Sequence, residues 1–185
     1  MMTEISLNIL DVAENSTQAG ASLVTISVAA DIAADLLTVT IKDNGCGMTK
    51  ELKEQVTDPF FTTRKTRKVG LGIPFFKYAA ESTGGSFSIE SEPGRGTVVT
   101  AVFGLSHIDR MPLGDINNTI ETLITCHPNT DFLYIYRYND SSFELDTRSF
   151  REILGEIPFD MPEVRTYINE YLSENKSETD GGAAL

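Results

Sequence analysis

The chain has no tryptophan, only two cysteines and two histidines, and few cations: 15 Lys and Arg stand against 27 Asp and Glu. Each shortage removes a class of protein. Cys46 and Cys126 lie far apart, so neither a disulfide framework nor a cysteine-rich zinc site is indicated, and two histidines make a metal cluster an unpromising reading. The net charge of -12, with a pI near 4.5, argues against nucleic acid or an anionic membrane as a main partner. No apolar run approaches membrane-spanning length, and the N-terminus lacks a basic-then-apolar signal, so the expected location is the cytoplasm. What is present is ordinary for a globular protein. A hydrophobic share of 41% over 185 residues suffices for one domain, or one domain with an appendage.

Three glycine groups and one asparagine organise the rest. Asp43-Asn44-Gly45-Cys46-Gly47 follows Leu37, Val39 and Ile41, the alternation of a half-buried strand. A carboxylate at a strand end, with glycines that leave the main chain open, can accept a hydrogen bond from an exocyclic amine. Asn-Gly is also the signature of a type I′ hairpin turn, and the residues alone leave both readings open. Upstream, residues 4–18 read as a helix. Glu4, Asn8, Asp11, Asn15 and Gln18 form one polar stripe, and Ile5, Ile9, Leu10, Val12 and Ala13 supply the apolar side. Such a stripe is usually a solvated face. Asn15, however, is a middling helix former whose amide oxygen suits Mg²⁺, and Asp11 stands one turn before it on the same face.

Residues 23–28 alternate as a strand. Thr49 is placed to cap a short helix over 49–57, which Asp58-Pro59-Phe60-Phe61-Thr62-Thr63 ends. Four cations follow within five positions: Arg64, Lys65, Arg67 and Lys68. They lead into Gly70-Leu71-Gly72 and an apolar helix with Pro74 in its first turn. Free amides and a positive helix end beneath four cations make a phosphate site, the alternative being a solvated basic loop. Residues 86–91 and 97–103 read as strands joined by Glu92-Pro93-Gly94-Arg95-Gly96, a hairpin.

Beyond residue 105 the pattern is helix, two strands, two helices. Asp115 caps a helix bearing Ile116, Ile120, Leu123 and Ile124. A strand follows with Tyr134, Tyr136 and Tyr138 on one face, read as core. It returns through Phe143 and Leu145 to a helix capped by Asp146 and stopped at Gly155. Asp160 and Glu163 have capping-box spacing for a last helix carrying Val164, Ile168 and Leu172. The chain turns polar from Ser173, and disorder is expected over 176–185.

Taken together and in this order, the motifs resemble those of the GHKL superfamily of ATP-binding domains. This group includes sensor histidine kinases, anti-sigma-factor serine kinases, type II topoisomerases, mismatch-repair ATPases and heat-shock chaperones. The resemblance covers about residues 4–104. Leu10-Asp11-Val12-Ala13-Glu14-Asn15-Ser16 looks like the N box, Asp43 to Gly47 like the first glycine box, and Asp58 to Thr63 like the F box. Gly70 to Gly72 resembles the second glycine box, and Ser91 to Thr97 the last box of histidine kinases. What this implies is an α/β two-layer sandwich, a mixed and mainly antiparallel sheet with helices on one face (the Bergerat fold), over residues 1–104. Residues 105–175 are then a small C-terminal α/β extension. It also implies ATP and Mg²⁺ as cofactors. Asn15 would hold the Mg²⁺, Asp43 would accept the adenine amine with Thr97 close by, and Gly45 and Gly47 would let the base lie against the backbone. Arg64, Lys65, Arg67 and Lys68 would belong to a lid over the phosphates, with Gly70, Leu71 and Gly72 beside the triphosphate.

The departures bear on the reaction. Hydrolysing relatives often carry a glutamate four residues before the box asparagine; here that place is Asp11, which can still serve as a general base or be a plain surface aspartate. Glu14 is a second candidate turned about 100° from Asn15 on a helix. No phospho-accepting helical hairpin precedes the N box in this sequence, and His107 and His127 read as capping or packing residues. The resulting expectation is an ATP-Mg²⁺-binding signalling protein that passes the γ-phosphoryl group to the Ser or His of a partner protein or to water. Its alternative is a non-catalytic nucleotide sensor.

Overall fold

The computed structural model describes residues 3–57 and 72–185. The alternating segments become a six-stranded mixed sheet in the order β3-β4-β2-β1-β5-β6. Strand β1 (Leu23–Asp31) runs antiparallel to β2 (Leu36–Asp43), which pairs antiparallel with β4 (Gly96–Gly104), itself antiparallel to β3 (Ser86–Glu92). On the other side of β1 lies β5 (Asp131–Tyr138), the sheet's one parallel neighbour, followed by antiparallel β6 (Ser141–Asp146). Period-two burial follows from the pleat. Val24, Ile26, Val28, Leu37, Val39, Ile41, Val99, Ala101 and Phe103 are buried on one face, whereas Thr25, Ser27, Thr38, Thr40 and Thr100 alternate with them, half-buried, on the other.

Helices cover the apolar face: α1 (Ile5–Gln18), α3 (Gly72–Glu81), α4 (Ile116–Cys126) and α6 (Pro162–Asp180). Two shorter helices, α2 (Lys50–Gln55) and α5 (Thr147–Leu154), complete the set among the described residues. Fully burying each Ile, Val or Phe of this layer contributes roughly 1.5–3 kcal/mol relative to exposure. The caps read from the sequence form: Thr49 accepts from Leu52 N, Asp115 from Asn118 N, and Asp146 from Arg148 N. Tyr134 and Tyr136 are core, both fully buried.

Three expectations need correcting. The polar stripe of α1 is only partly a solvated face: Gln18 is exposed, but Asn8 is fully buried and its Oδ1 has no partner among the described residues. Asp160 and Glu163 do not make a capping box. Pro162, whose φ is preset and which has no N–H to satisfy, starts α6 instead, and the N-cap Met161 makes no side-chain bond. Nor does order stop at 175: α6 continues to Asp180, whose side chain is sealed from solvent. It accepts from Tyr136 Oη (2.8 Å), Lys176 Nζ (2.6 Å) and Gly182 N (2.9 Å). Leu113 N then donates to the carbonyl of Leu185 at 2.8 Å. A polar tail becomes ordered when its polar atoms are all bonded to a packed sheet, which local composition does not reveal.

Residues 108–185 also clasp α1. Ile5 N and Ser6 N, first-turn donors with no partner inside the helix, donate to Pro112 O (3.0 Å) and Leu113 O (2.9 Å). The donors around Asp180, from Tyr136, Lys176 and Gly182, give a measurable consequence. Burial pushes the Asp180 carboxyl up, but the bonds from Lys176, Tyr136 and the Gly182 amide outweigh it and hold it below its usual value. A depressed carboxyl stabilises the fold above its unfolded pKa of about 4 and loses that contribution as pH falls through the lower folded value. Lys176→Met, which strands the carboxylate, is expected to cost about 2 kcal/mol at pH 7 in urea unfolding, with the gap from wild type narrowing below about pH 4.

Candidate functional site

Asp43 ends β2 with its side chain buried. Oδ1 accepts from Gly45 N at 2.9 Å and from Thr97 N at 3.2 Å, while Oδ2 accepts from Ser16 Oγ at 2.7 Å. Three donors from α1, the glycine loop and β4 thus satisfy the oxygens of a buried carboxylate. Asn44 does not turn a hairpin. Its Oδ1 accepts from Ser22 N (2.9 Å) and Leu23 N (3.0 Å), and its Nδ2 donates to Ser22 Oγ (2.8 Å), which fastens the loop to the start of β1.

The glycines answer to main chain packed against them. Gly47 has φ +66°, and a Cβ there would lie 2.0 Å from Glu92 O. Gly96 has φ +100°, and its Cβ would meet Asp43 O at 2.0 Å. A Cβ on Gly45 would press on Ala19 at 2.9 Å. Cys46 N donates to Ala19 O and Gly94 N to Cys46 O, so the first glycine loop is laced to both the end of α1 and the β3–β4 turn. That turn is also the hairpin read from the sequence, with Gly94 at φ +76°.

Thr97 sits opposite Asp43 in the β2–β4 register and opposite Ser91 in the β3–β4 register. Ser91 Oγ lies 2.9 Å from Thr97 Oγ1, donates to Gly96 O and accepts from Met48 N. Ser16 and Ser91 therefore hold the pocket carboxylate and the pocket threonine, and neither was singled out from the sequence. The signal for Ser91 was available, since closing the hairpin puts it across from Thr97. Ser16 needed the tertiary packing of α1 on the sheet.

Asp11 and Asn15 lie one turn apart on α1, both half-buried. Asp11 faces the start of α3: a Cβ on Gly72 would fall 1.6 Å from Asp11 Oδ2. Arg64, Lys65, Arg67, Lys68, Gly70 and Leu71, together with the Asp58 to Thr63 box, lie outside the described residues. Glu14 points elsewhere, with Oε1 2.7 Å from His127 Nε2, so it is not aligned with Asn15 as a base. His107 Nδ1 accepts from Asp109 N at 3.2 Å, a local cap. Among the described residues no group of three or more His, Cys, Asp or Glu could hold a metal ion. The side-chain amide oxygen of Asn15 is the donor type that suits Mg²⁺ arriving with phosphate oxygens and keeping its waters, not a metal caged by protein. A cavity of about 310 Å³ is lined by Glu14, Thr17, His127 and Asn129 among others, and by none of Asp11, Asn15, Asp43 and Thr97.

A family model described as histidine kinase-, DNA gyrase B-, and HSP90-like ATPase matches residues 1–107. A protein of Shewanella frigidimarina (strain NCIMB 400) described as a sensor protein is 34% identical over 109 residues, covering 57% of this chain and 16% of its own. The cell-division control histidine kinase PdhS of Brucella abortus (strain S19) is 32% identical over 113 residues, covering 54% of this chain and 11% of its own. The chain thus spans a small part of the length of either relative. Among solved structures, the N-terminal domain of a DNA repair protein superposes with a TM-score of 0.55 at 12% identity, covering 78% of this chain and 52% of that one, a likeness of fold.

The glycine geometry separates two kinds of substitution. Gly47→Ala and Gly96→Ala set a methyl against backbone at positive φ, and each is expected to cost about 3 kcal/mol in chemical denaturation. Gly72→Ala meets only the movable end of Asp11, so it is expected to cost about 1 kcal/mol and to become near-neutral in an Asp11→Ala background.

Proposed function

This chain belongs to the histidine kinase-, DNA gyrase B-, and HSP90-like ATPase family, and on that premise we propose that it binds ATP with Mg²⁺ and transfers the γ-phosphoryl group to a partner protein or to water. ATP-binding signalling is the role that the family and its histidine kinase relatives support. The observation that carries the nucleotide reading is the triple-held Asp43 carboxylate, an acceptor fixed in direction before any ligand arrives.

In this reading Asp43 Oδ2 accepts the exocyclic amine of adenine, and Thr97, placed by Ser91, stands beside it. Asn15 holds the Mg²⁺, which when bound neutralises phosphate charge. The protein's contribution is positioning and charge compensation, since phosphoryl transfer asks for little covalent chemistry. Arg64, Lys65, Arg67 and Lys68 would serve the phosphates as a lid, and Gly70, Leu71 and Gly72 the triphosphate. Asp11 is the candidate base for a hydroxyl or water, directly or through an intervening water. The acceptor is a Ser or His on a separate protein.

One observation favours a second reading. Oδ2 of the Asp11 carboxylate is packed on Gly72 at the start of α3, a contact between two helices. A non-catalytic sensor, in which ATP reorders that contact and changes a partner surface, uses this geometry directly.

Calorimetry with MgATP on wild type and Asp43→Asn tests the pocket. An amide at 43 must keep its oxygen for the Gly45 and Thr97 N–H groups, which turns its NH₂ toward the ligand amine, donor against donor. The expected loss of affinity is tenfold or more, about what a hydrogen bond to a charged group contributes. Absence of binding by folded wild type overturns the nucleotide reading. Phosphate release or partner labelling that falls about a hundredfold in Asp11→Ala supports turnover with Asp11 as base; none in wild type leaves the sensor.

A further inference from the structure

Glu14, Asn15 and Ser16 are consecutive on α1, so their side chains leave the helix about 100° apart. The two flanking ones are anchored in opposite parts of the molecule. Ser16 Oγ donates to Asp43 Oδ2 at 2.7 Å, on the sheet side, in the buried interior. Glu14 Oε1 lies 2.7 Å from His127 Nε2, on the side of α4, whose C-cap is His127. An ionised carboxylate can only accept, so the imidazole N–H donates. The His127 ring is itself placed by packing near Phe132 of β5, with centroids 6.4 Å apart. The two anchors are about 200° apart around the helix and only three residues of axis long. A helix held in this way cannot rotate about its axis without breaking one of them, and the residue between them has its direction set.

We infer that His127 is a positioning residue for Asn15, acting through Glu14. His127 lies outside the residues that the family model matches, 1–107. Residues 108–185 therefore do more than widen the sheet: they fix the azimuth of the helix that carries the metal-binding amide. The inference rests on the ATP-Mg²⁺ reading for its functional consequence, but the positioning itself is a property of the protein without ligand. The other end of α1 is tied to the same part of the chain. Ile5 N and Ser6 N donate to Pro112 O and Leu113 O, and Asp115 N donates to Glu4 Oε2 at 3.3 Å. Those bonds set the height and tilt of α1, whereas the Glu14–His127 pair sits one residue from Asn15 and acts on its rotation.

The test compares wild type, His127→Ala and His127→Gln, the glutamine N–H reaching about where the imidazole Nε2–H stands. Nucleotide affinity is measured by calorimetry with Mg²⁺ and again with a chelator, so that the metal-dependent part is separated from adenine recognition. His127→Ala is expected to weaken MgATP binding about fivefold, the scale of one ordinary net hydrogen bond, because the effect reaches Asn15 only through Glu14, and to leave metal-free binding within about twofold. His127→Gln restores the MgATP value. In a Glu14→Ala background His127→Ala adds nothing further, since the pair acts as one unit. Equal losses with and without Mg²⁺ indicate a merely structural role and overturn the inference, as does wild-type affinity in His127→Ala under both conditions. The side-chain amide resonances of Asn15 are followed in the same variants without nucleotide. They are expected to shift in His127→Ala and return in His127→Gln. If wild type binds no ATP, the proposed function fails on its own account, and these resonances still decide whether His127 places Asn15: unmoved signals in His127→Ala sink the inference.

Discussion

The buried carboxylate of Asp43 is the constraint on which the rest depends. A charge with so little access to water is tolerable only while its donors stay in place, and those donors come from three separate segments: Ser16 of α1, Gly45 of the loop and Thr97 of β4. Each segment must therefore approach closely, and the close approaches explain the glycines. Gly96 passes over the carbonyl of Asp43 and Gly47 over that of Glu92, at distances no side chain allows. The pocket and the strand register are thus one structure. A shift of β4 by a residue would withdraw Thr97 from Asp43 and set the wrong face of the strand against the helices.

A second dependence runs through β1. Without β5 it would be an edge strand nine residues long, with Leu23 to Ala30 entirely uncharged, the kind of edge that pairs with other chains. Parallel pairing with β5 covers it, and the new edge is the six-residue β6, with Ser141, Ser142, Glu144 and Asp146 among its members. The residues after 107 therefore complete the sheet while they clasp α1 at both ends. Lys176, Asp180 and Tyr136 close the same part of the chain onto the buried face.

Much of this was legible because it is local. Period-two alternation in 36–43 and 96–104, helical periodicity in 5–18, and the caps Thr49, Asp115 and Asp146 involve partners within a few residues, and all of them form. What was missed is nonlocal or decided by a stronger neighbour. Asn8 belongs to a polar stripe by spacing, yet it is buried because the packing of neighbouring helices encloses that side of α1. The spacing of Asp160 and Glu163 suits a capping box, but Pro162 between them already dictates where α6 starts. Order in the tail depends on Tyr136, more than forty positions away in sequence from Asp180. The Asn-Gly pair had two local readings, and Ser22 and Leu23, far upstream, decide between them by bonding to Asn44.

The contact of Asp11 with Gly72 ties α1 to the start of α3. The first residues of a helix present unpaired amides and a partial positive charge, and a carboxylate packed there is electrostatically favoured. A phosphate brought to the same end of α3 carries more negative charge than Asp11 and is repelled by it at close range, so the two anions cannot share the position without rearrangement. Either a cation lies between them or Asp11 moves off Gly72. In the first case, on the ATP-Mg²⁺ reading proposed above, Asn15, one turn along the same face of α1, would hold that cation. In the second, the contact between α1 and α3 changes whenever nucleotide binds, whether or not a phosphoryl group is then transferred. Both outcomes act through α1, whose rotation is fixed by Ser16 on one side and Glu14 on the other. Under the proposed function, the helix that would offer a base for chemistry would for the same physical reason be the element that reports nucleotide occupancy to the remainder of the fold.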